Sequence, residues 1–196
     1  ISFALPEDIG SYRYYRLFIT DPDFTAMAGL ELYGESGITL IPALPTVPGK
    51  QEVDLSNYDK IRLDASQIEA SSTLKGHGSE NLIQEDGFWH VVTPKESNEV
   101  WIIIDLGSER RLDVLSIKPR PDYLAQLWKM ANAVLEGSND NEEWIAEVKL
   151  ELNHVTLNTT DWISFALPED IGSYRYYRLF TTDPDFTAMA GLMLYR

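Results

Sequence analysis

The amino-acid sequence predicts an all-β protein built as a β-sandwich. Short segments rich in β-branched and aromatic residues alternate with Gly, Pro, Asp and Ser, which is the pattern of strands joined by turns. A hydrophobic fraction of 44% with 11% aromatic residues indicates a packed core rather than a disordered chain. Only one short stretch, DYLAQLWKMA, has a pattern typical of a helix. Many short strands with little helix favour an antiparallel sandwich.

The strand predictions rest on hydrophobic periodicity. In WISFAL the residues Ile163, Phe165 and Leu167 share one face, and the residues between them occupy the other. WIIIDLG, at 101–107, is apolar on both faces, as expected of a strand at the centre of a sheet. The segments predicted as strands are ISFAL, YRYYRLF, GLELYG, WIIIDLG, LDVLSIKP and NAVLEGS.

A long duplication sets the domain organisation. Residues 1–34 and 163–196 are identical except at the aligned pairs Ile19/Thr181, Glu31/Met193 and Gly34/Arg196. The offset between the copies is far longer than a solenoid repeat and has the size of a whole domain with its linker. We therefore predict a tandem array in which 1–34 is the C-terminal part of a preceding repeat. Residues 35–50, with prolines at 42, 45 and 48, are predicted as a Pro-rich linker, and 51–196 as one domain.

Charge and composition exclude several functions. The formal net charge is −15 and the pI is near 4.5, which disfavours binding to nucleic-acid phosphates or anionic lipid. With no cysteine there is no disulfide framework, thiol nucleophile or Cys-type zinc site. No run of about 18 apolar residues occurs, so we expect no membrane insertion. The alternative is that the excess of acidic residues only keeps the protein soluble.

The sequence carries no recognisable catalytic arrangement. His77, His90 and His154 lack metal-ligand spacing, and no nucleophile-elbow or phosphate-binding loop occurs. GHGSE, at 76–80, is interpreted as a polar turn. A chain with 31 acidic residues always has some two carboxylates close together, so their proximity says nothing about glycosidase chemistry. We predict that the protein is not an enzyme and has no catalytic residues.

Seven motifs in order carry a family resemblance. They are IEASST, EDGFWH, WIIIDLG, LSIKPRPD, AVLEGSNDNEEW, YRYYRL and GLMLYR. This succession, from about Ile61 to Arg196, resembles the coagulation factor 5/8 type C or discoidin domain, which overlaps with family 32 carbohydrate-binding modules. The resemblance implies a jelly-roll, galactose-binding-like sandwich of about eight main strands with a binding site in loops at one end. Such modules bind glycans, often galactose-type sugars, or lipid head groups or protein.

The same resemblance suggests residues for a glycan site. Trp89, His90 and Arg120 stand at family positions, and Tyr123 and Trp128 in the following loop can supply another ring for a sugar face. Each has an alternative: Trp89 as a core residue, His90 as a structural hydrogen-bonding group and Arg120 as a salt-bridge partner. The polar residues that the family usually has between DG and FWH are missing, which weakens the transfer of the sugar site.

The resemblance also implies a structural calcium ion. Asp86 stands in the matching loop, and the carboxylate expected near the C-terminus is Glu31 in the first copy but Met193 in the second. Calcium takes six to eight oxygen ligands, and a thioether supplies none. The predicted site is complete with residues 1–34 and lacks one carboxylate with residues 163–196. The alternative is that Asp86–Gly87 is only a turn.

The duplication leads to two functional predictions. Three strands in 34 residues cannot bury their apolar faces alone, so residues 1–34 need a partner, in the same chain or a neighbour. Our first prediction is a non-catalytic extracellular, adhesive module whose repeats assemble head-to-tail into a filament or surface coat, by strand donation. The alternative is a glycan-binding module repeated for avidity. Asn158, in an N-x-[ST] tripeptide, is a predicted glycosylation site that would fit extracellular display.

Overall fold

Two β-sheets with eleven strands make up the described part of the chain. The computed structural model describes residues 44–50, 52–84, 87–91, 99–122, 133–152, 159–181 and 187–196. The strands are β1 (Thr46–Pro48), β2 (Lys60–Ile61), β3 (Ile68–Ala70), β4 (Trp89–His90), β5 (Val100–Arg110), β6 (Val114–Pro119), β7 (Val134–Ser138), β8 (Ile145–Glu151), β9 (Ile163–Ala166), β10 (Tyr174–Thr181) and β11 (Ala188–Tyr195). Short 3-10 helices cover Ala65–Gln67 and Ser79–Ile83. In these ranges no helix is long and apolar enough to cross a bilayer.

The larger sheet, sheet A, has the strand order β1-β8-β7-β10-β5-β3. Its neighbouring strands are antiparallel except for β1, which runs parallel to β8. β5 pairs with β10 on one side and with the short edge strand β3 on the other, so it is an interior strand of sheet A. Its residues Ile102, Ile104 and Leu106 are buried, while Trp101 and Ile103 on the opposite face are half-buried.

The smaller sheet, sheet B, has the order β2-β11-β6-β9, and β4 pairs with the beginning of β11. The alternation predicted for WISFAL is confirmed, since Ile163, Phe165 and Leu167 are all buried. Ser164 lies on the other face of β9, where its hydroxyl is 2.7 Å from that of Ser116 in β6. Sheet B therefore directs alternate residues of β9 into the core.

The core lies between the two sheets, which confirms the all-β sandwich predicted from the sequence. Its largest fully buried side chains are Trp89, Phe165 and Tyr177. Aromatic side chains of this kind bury more apolar area than any other residue type. The core therefore joins β4 and β9 of sheet B to β10 of sheet A.

All the described residues belong to one compact unit that spans 42–196. Thr46–Pro48, inside the segment 35–50 interpreted as a linker, forms β1 and adds to the edge of sheet A beside β8. Lys50 makes a bridge to Ser164 in β9. The sandwich thus includes residues before position 51. Residues 1–34 lie outside the described ranges, so their assignment to a preceding repeat stays a prediction.

Most of the predicted helix lies outside the described residues, because only Asp122 of DYLAQLWKMA falls inside them. The predicted strands in the second copy and in the body of the domain correspond to β5, β6, β7, β9, β10 and β11. The short strands β1 to β4 and the strand β8 lie outside the six segments predicted from hydrophobic periodicity.

Candidate functional site

Three connecting segments bring polar and aromatic side chains together beside the start of β4. His77 follows β3, Phe88 precedes β4 directly, and Arg120 and Asp122 follow β6. The end of β6 and the start of β4 are neighbours because both pair with Met189 in β11. We call these four residues the Phe88 cluster.

Backbone hydrogen bonds fix His77 beside β4. The amide of Leu74 donates to the carbonyl of His90 (2.8 Å), and the amide of His90 donates to the carbonyl of His77 (3.2 Å). The turn closes where the His77 amide donates to the Leu74 carbonyl (2.8 Å). Gly76 in this turn has φ +84°, a conformation that glycine adopts without steric cost. These main-chain hydrogen bonds fix the backbone of His77, and with it the position from which the imidazole side chain extends.

The short 3-10 helix Ser79–Ile83 positions Phe88 from the other side. The Asn81 side-chain amide donates to the Phe88 carbonyl (3.1 Å), and the Ser79 hydroxyl donates to the Ile68 carbonyl (3.1 Å). The first bond holds the backbone of Phe88, and the second ties the helix to β3. These hydrogen bonds thus fix the segment that carries Phe88, although Phe88 lies outside any strand.

The Phe88 ring is the centre of the cluster. The His77 imidazole stacks on it with a centroid separation of 4.1 Å and an interplanar angle of 14°. The Arg120 guanidinium carbon lies 3.9 Å from the centroid of the same ring. The His90 ring is 6.4 Å away and tilted by 59°. A guanidinium this close to an aromatic ring is attracted by the ring's electron density.

Asp122 orients the guanidinium and adds an acceptor. Arg120 donates from Nε (2.6 Å) and Nη2 (2.8 Å) to the two carboxylate oxygens of Asp122, a bidentate pair. The side chain of Asp122 is 60% exposed and that of Arg120 only 20%. The hydrogen bond from Arg120 is the main reason that the pKa of Asp122 lies below its ordinary value, and His77 adds a small electrostatic contribution in the same direction. At neutral pH the cluster therefore presents an ionised carboxylate to solvent.

Two of the residues predicted for a glycan site, Trp89 and His90, are buried. Trp89 is 0% exposed, and its indole N–H donates to the Ser72 carbonyl (3.0 Å). Its ring consequently has no face open to a sugar, and the core alternative is the one that its burial supports. His90 is 7% exposed, and its Nδ1 lies 2.7 Å from the Val91 carbonyl oxygen. Arg120 both forms a salt bridge and belongs to the Phe88 cluster.

The remaining predicted site residues fall outside the described ranges, and their roles stay predictions. They are Tyr123, Trp128, Asp86, Glu31 and Asn158. Within the described ranges no group of three or more His, Asp or Glu side chains is placed to hold a metal ion. Met193, which replaces the predicted carboxylate in the second copy, accepts a hydrogen bond at its sulfur from the Tyr195 hydroxyl (3.2 Å).

Sequence reasoning missed His77, Phe88 and Asp122. GHGSE was interpreted as a polar turn, and this turn is where the structure places His77 beside Phe88. The sequence contained a signal for two of them. Phe88 is adjacent to Trp89 in FWH, and Asp122 is two residues after Arg120 in RPD, and both Trp89 and Arg120 were predicted site residues. The signal is proximity in sequence only, because Phe88 lies outside β4 and both residues of β4 are buried.

The chain belongs to the F5/8 type C domain family. Residues 67–189, more than half of the chain, match this family. The match includes the turn that carries His77 and the segment that carries Arg120 and Asp122. No curated relative matches the chain by sequence.

Solved structures share this fold at low sequence identity. The CBM32-1 and CBM32-2 domains from Clostridium perfringens ZmpB superpose with a TM-score of 0.60 at 13% identity, over 78% of this chain and 41% of that one. The present chain thus spans about two fifths of the length of that structure. CpGH89CBM32-5 from Clostridium perfringens, solved in complex with GalNAc-β-1,3-galactose, gives 0.53 at 15% identity, over 66% of this chain and 94% of the other. The Streptococcus pneumoniae fucose binding module SpX-3 superposes with a TM-score of 0.54 at 17% identity, over 70% of this chain and 98% of that one.

Proposed function

We propose that the protein is a glycan-binding module and that the Phe88 cluster is its sugar site. The observation that carries this proposal is the convergence of an imidazole, a guanidinium and an exposed carboxylate on one half-buried aromatic ring. Sugar sites combine an apolar surface with a few fixed polar groups that determine orientation. The proposed role is recognition and not catalysis.

The chemistry of the cluster suits a neutral sugar. The exposed Asp122 carboxylate accepts hydrogen bonds from sugar hydroxyls, and the His77 imidazole donates or accepts according to its tautomer. The His77 imidazole and the Arg120 guanidinium lie over the Phe88 ring, so the ring offers the C–H groups of a pyranose its edge and not a face. Because Arg120 holds Asp122 through two bonds, the carboxylate is already oriented before a ligand arrives.

Structural relatives suggest which sugars to test. The ZmpB domains have also been solved in complex with GalNAc, another C. perfringens module was solved with GalNAc-β-1,3-galactose, and the S. pneumoniae module binds fucose. We infer a terminal galactose-type or fucose residue as the ligand class of this chain. Sugars of this kind decorate cell surfaces and secreted glycans, so the proposal includes a secreted or surface location.

The test measures binding of the full chain to GalNAc, GalNAc-β-1,3-galactose and fucosides by isothermal titration calorimetry. We expect Asp122→Asn to weaken binding at least about tenfold, because a hydrogen bond to a charged group contributes about 1.5–3 kcal/mol and tenfold corresponds to about 1.4 kcal/mol. Phe88→Ala should also weaken binding, because it removes the ring that His77 and Arg120 contact.

Arg111→Ala is the matched control. Arg111 is also an arginine paired with an aspartate two residues on, Asp113, but it is more exposed than Arg120 and lies before β6 whereas Arg120 lies after it. The control should bind as the natural chain does. Binding that is unchanged in Asp122→Asn and Phe88→Ala would place the sugar elsewhere, and no binding to any of the three sugar classes would contradict the proposed ligand class.

A second candidate function follows from the duplicated sequence. We infer that near-identical copies at 1–34 and 163–196 belong to a repeated extracellular structural or adhesive array, in which linked modules raise avidity or build a coat. Light scattering across concentration, with Ca²⁺ and then with a chelator, tests this inference. Growth into long oligomers would support assembly through the repeats, and a monomer at every concentration would argue against it. Only growth that the chelator reverses would also support the predicted calcium ion.

A further inference from the structure

The outer face of sheet A, which points away from the core, is largely apolar at its centre. The adjacent strands β5, β10 and β7 bury Ile102, Leu179 and Leu135 in the core, so the residues beside these in each strand point outward. An antiparallel sheet with one face on the core usually has polar residues on the other. Here most of the outward residues of the three strands are aromatic or aliphatic.

Strand pairing arranges these outward residues in two rows across β5, β10 and β7. All of them are half-buried. Neighbouring strands are about 4.8 Å apart and successive rows on one face about 6.7 Å apart, so the two rows form one continuous surface. We call this surface the sheet A patch. Its residues are Trp101, Phe180 and Val134 in one row, and Ile103, Arg178 and Glu136 in the next.

One ion pair lies in the sheet A patch. Arg178 donates from Nε to a carboxylate oxygen of Glu136 at 2.5 Å, and the two side chains are only 19% and 13% exposed. The guanidinium carbon lies 4.4 Å from the ring centroid of Trp144, which precedes β8, and 5.1 Å from that of Phe180. Replacing so shielded a pair by apolar residues is often neutral or stabilising, so stability alone does not account for it.

The ion pair presents fixed polar groups to a ligand. The bond to Glu136 uses Nε of Arg178, and within the described ranges the two Nη groups make no further hydrogen bond. The guanidinium therefore keeps donors, and the carboxylate keeps an acceptor oxygen. Because Trp144 and Phe180 hold the guanidinium in place, these groups are oriented before a ligand arrives.

Trp101 supplies an apolar surface beside this pair. It lies directly opposite Phe180, in the row next to that of Arg178. The Arg178 guanidinium lies near the rings of Trp144 and Phe180. Among the described residues, neither a cation nor another aromatic ring lies over the ring of Trp101, which is half-buried. An indole surface next to a few fixed donors and acceptors is the combination that small-molecule sites use.

The size and charge of the sheet A patch select the kind of ligand. Two rows on three strands cover roughly 200 Å², whereas a stable protein interface buries about 800 Å² on each partner. The patch carries one positive and one negative charge and is neutral, although the whole chain has a formal net charge of −15. A small neutral molecule with both hydroxyl groups and apolar C–H groups matches these properties, and a pyranose sugar is such a molecule.

We propose that the sheet A patch is a second sugar site, in which a neutral pyranose packs on the Trp101 ring and exchanges hydrogen bonds with Arg178 and Glu136. The patch shares no residue with the Phe88 cluster, so this inference does not depend on that site. With two sites, one domain holds a branched or multivalent glycan at two weak contacts at once, which raises the apparent affinity.

NMR titration of the full 15N-labelled chain tests the proposal, because each tryptophan has one indole N–H signal. The chain has five tryptophans, and single Trp→Phe variants assign their signals. The probes are methyl β-galactoside, methyl β-glucoside and methyl α-mannoside. We expect at least one of them to shift the Trp101 and Trp144 signals to saturation. The Trp89 signal should not move, because its indole N–H is bonded to the Ser72 carbonyl inside the core.

The variant Trp101→Ala should weaken this binding at least about fivefold, because it removes the aromatic surface on which the sugar packs. The Trp144 signal follows binding in this variant. Trp162→Ala is the matched control, since Trp162 is also half-buried near a cation, with Lys118 Nζ 5.9 Å from its ring, but precedes β9 in sheet B. The control should bind as the natural chain does. Equal losses in the two variants, each folded by urea unfolding, would overturn the proposal.

Three other results would overturn the proposal. The first is that none of the three sugars shifts the Trp101 and Trp144 signals of the natural chain. The second is that Asp122→Asn abolishes these shifts, because the sugar would then be bound at the Phe88 cluster alone. The third is that the signals shift with protein concentration and without sugar, because the sheet A patch would then be an interface between copies of the chain. Shifts that persist in Asp122→Asn would support a separate second site, whether or not the Phe88 cluster binds sugar.

Discussion

At the scale of single residues, Tyr177 connects two parts of the chain that are distant in sequence. Its ring is fully buried and meets Tyr174 edge-to-face at 5.8 Å. Its hydroxyl lies 2.7 Å from the Arg110 carbonyl oxygen and 3.1 Å from that of Gly172. Burial is the chief reason that the pKa of Tyr177 is raised well above its ordinary value. The residue therefore stays neutral and links the end of β5 to the segment before β10.

Removing the Tyr177 hydroxyl should destabilise the domain. Tyr177→Phe leaves the ring in place but leaves two carbonyl groups without this partner, so we expect the free energy of unfolding to fall by about 1–2 kcal/mol. Urea unfolding followed by tryptophan fluorescence measures the change. Tyr176→Phe is the control, because Tyr176 is half-buried on the other face of β10 and should change stability by less than about 0.5 kcal/mol. Equal effects would contradict a specific role for the Tyr177 hydroxyl.

Asp105 gives the stability a defined pH dependence. Its hydrogen bond from Arg175 is the main reason that its pKa is lowered from the usual 3.8, and the Gly107 amide acts in the same direction. A lowered pKa in the folded state stabilises the fold above the unfolded-state pKa, and this stabilisation disappears as the pH falls through the folded-state value. Because the pair is partly exposed, its contribution is less than about 1 kcal/mol.

The comparison of the natural chain with Asp105→Asn tests this sign. The natural chain should be the more stable of the two at neutral pH, and the difference should shrink as the pH falls below about 3.8, the usual value. Urea unfolding at a series of pH values measures the difference. A difference that stays constant or grows as the pH falls would show that Asp105 is not the group responsible.

At the scale of secondary-structure elements, the sequence predicts the strands that have an apolar pattern of their own. It misses strands that form only because they pair with a segment distant in sequence. The period of two in WISFAL is enough to predict β9, and the continuous apolar run in WIIIDLG is enough to predict β5. β1 lies in a proline-containing segment, and only its pairing with β8 makes it a strand. Pro48 is tolerated there because β1 is an edge strand of sheet A.

The candidate site was harder to predict for the same reason. Arg120 was found from the family resemblance, but His77 approaches Phe88 only because the turn at Leu74–His77 pairs with β4. Such pairing joins residues that are close in sequence yet carry no periodic pattern. The burial of Trp89 agrees with its core alternative, although β4 shows no alternation, because His90 is buried as well.

The packing of β7 against β10 depends on one glycine. A methyl group at Gly137 would lie 2.0 Å from Cδ2 of Tyr174, so the ring would have to move. We expect Gly137→Ala to lower the free energy of unfolding by about 1–3 kcal/mol, as other overpacked positions do. In a Tyr174→Ala background the same change should cost less, because the methyl group then has room. Thermal unfolding of the four proteins measures this coupling, and an equal cost in both backgrounds would contradict it.

At the scale of the whole molecule, the order of motifs was sufficient to predict the fold, and the match to the F5/8 type C family confirms it. The low identity of the solved relatives, 13% to 17%, shows how weakly the fold constrains the individual residues. The side chains of the Phe88 cluster come from connecting segments of the sandwich. Loops carried on a rigid scaffold are where binding residues most often lie.

The central position of β10 in sheet A also bears on how the protein is made. β5, β7 and β8 leave the ribosome before β10, so the sheet lacks its middle strand until residues 174–181 have been synthesised. Contacts between strands so far apart in sequence form slowly, on the order of milliseconds to seconds in isolated all-β domains. A nascent chain therefore leaves the facing edges of β5 and β7 unpaired until β10 has been synthesised.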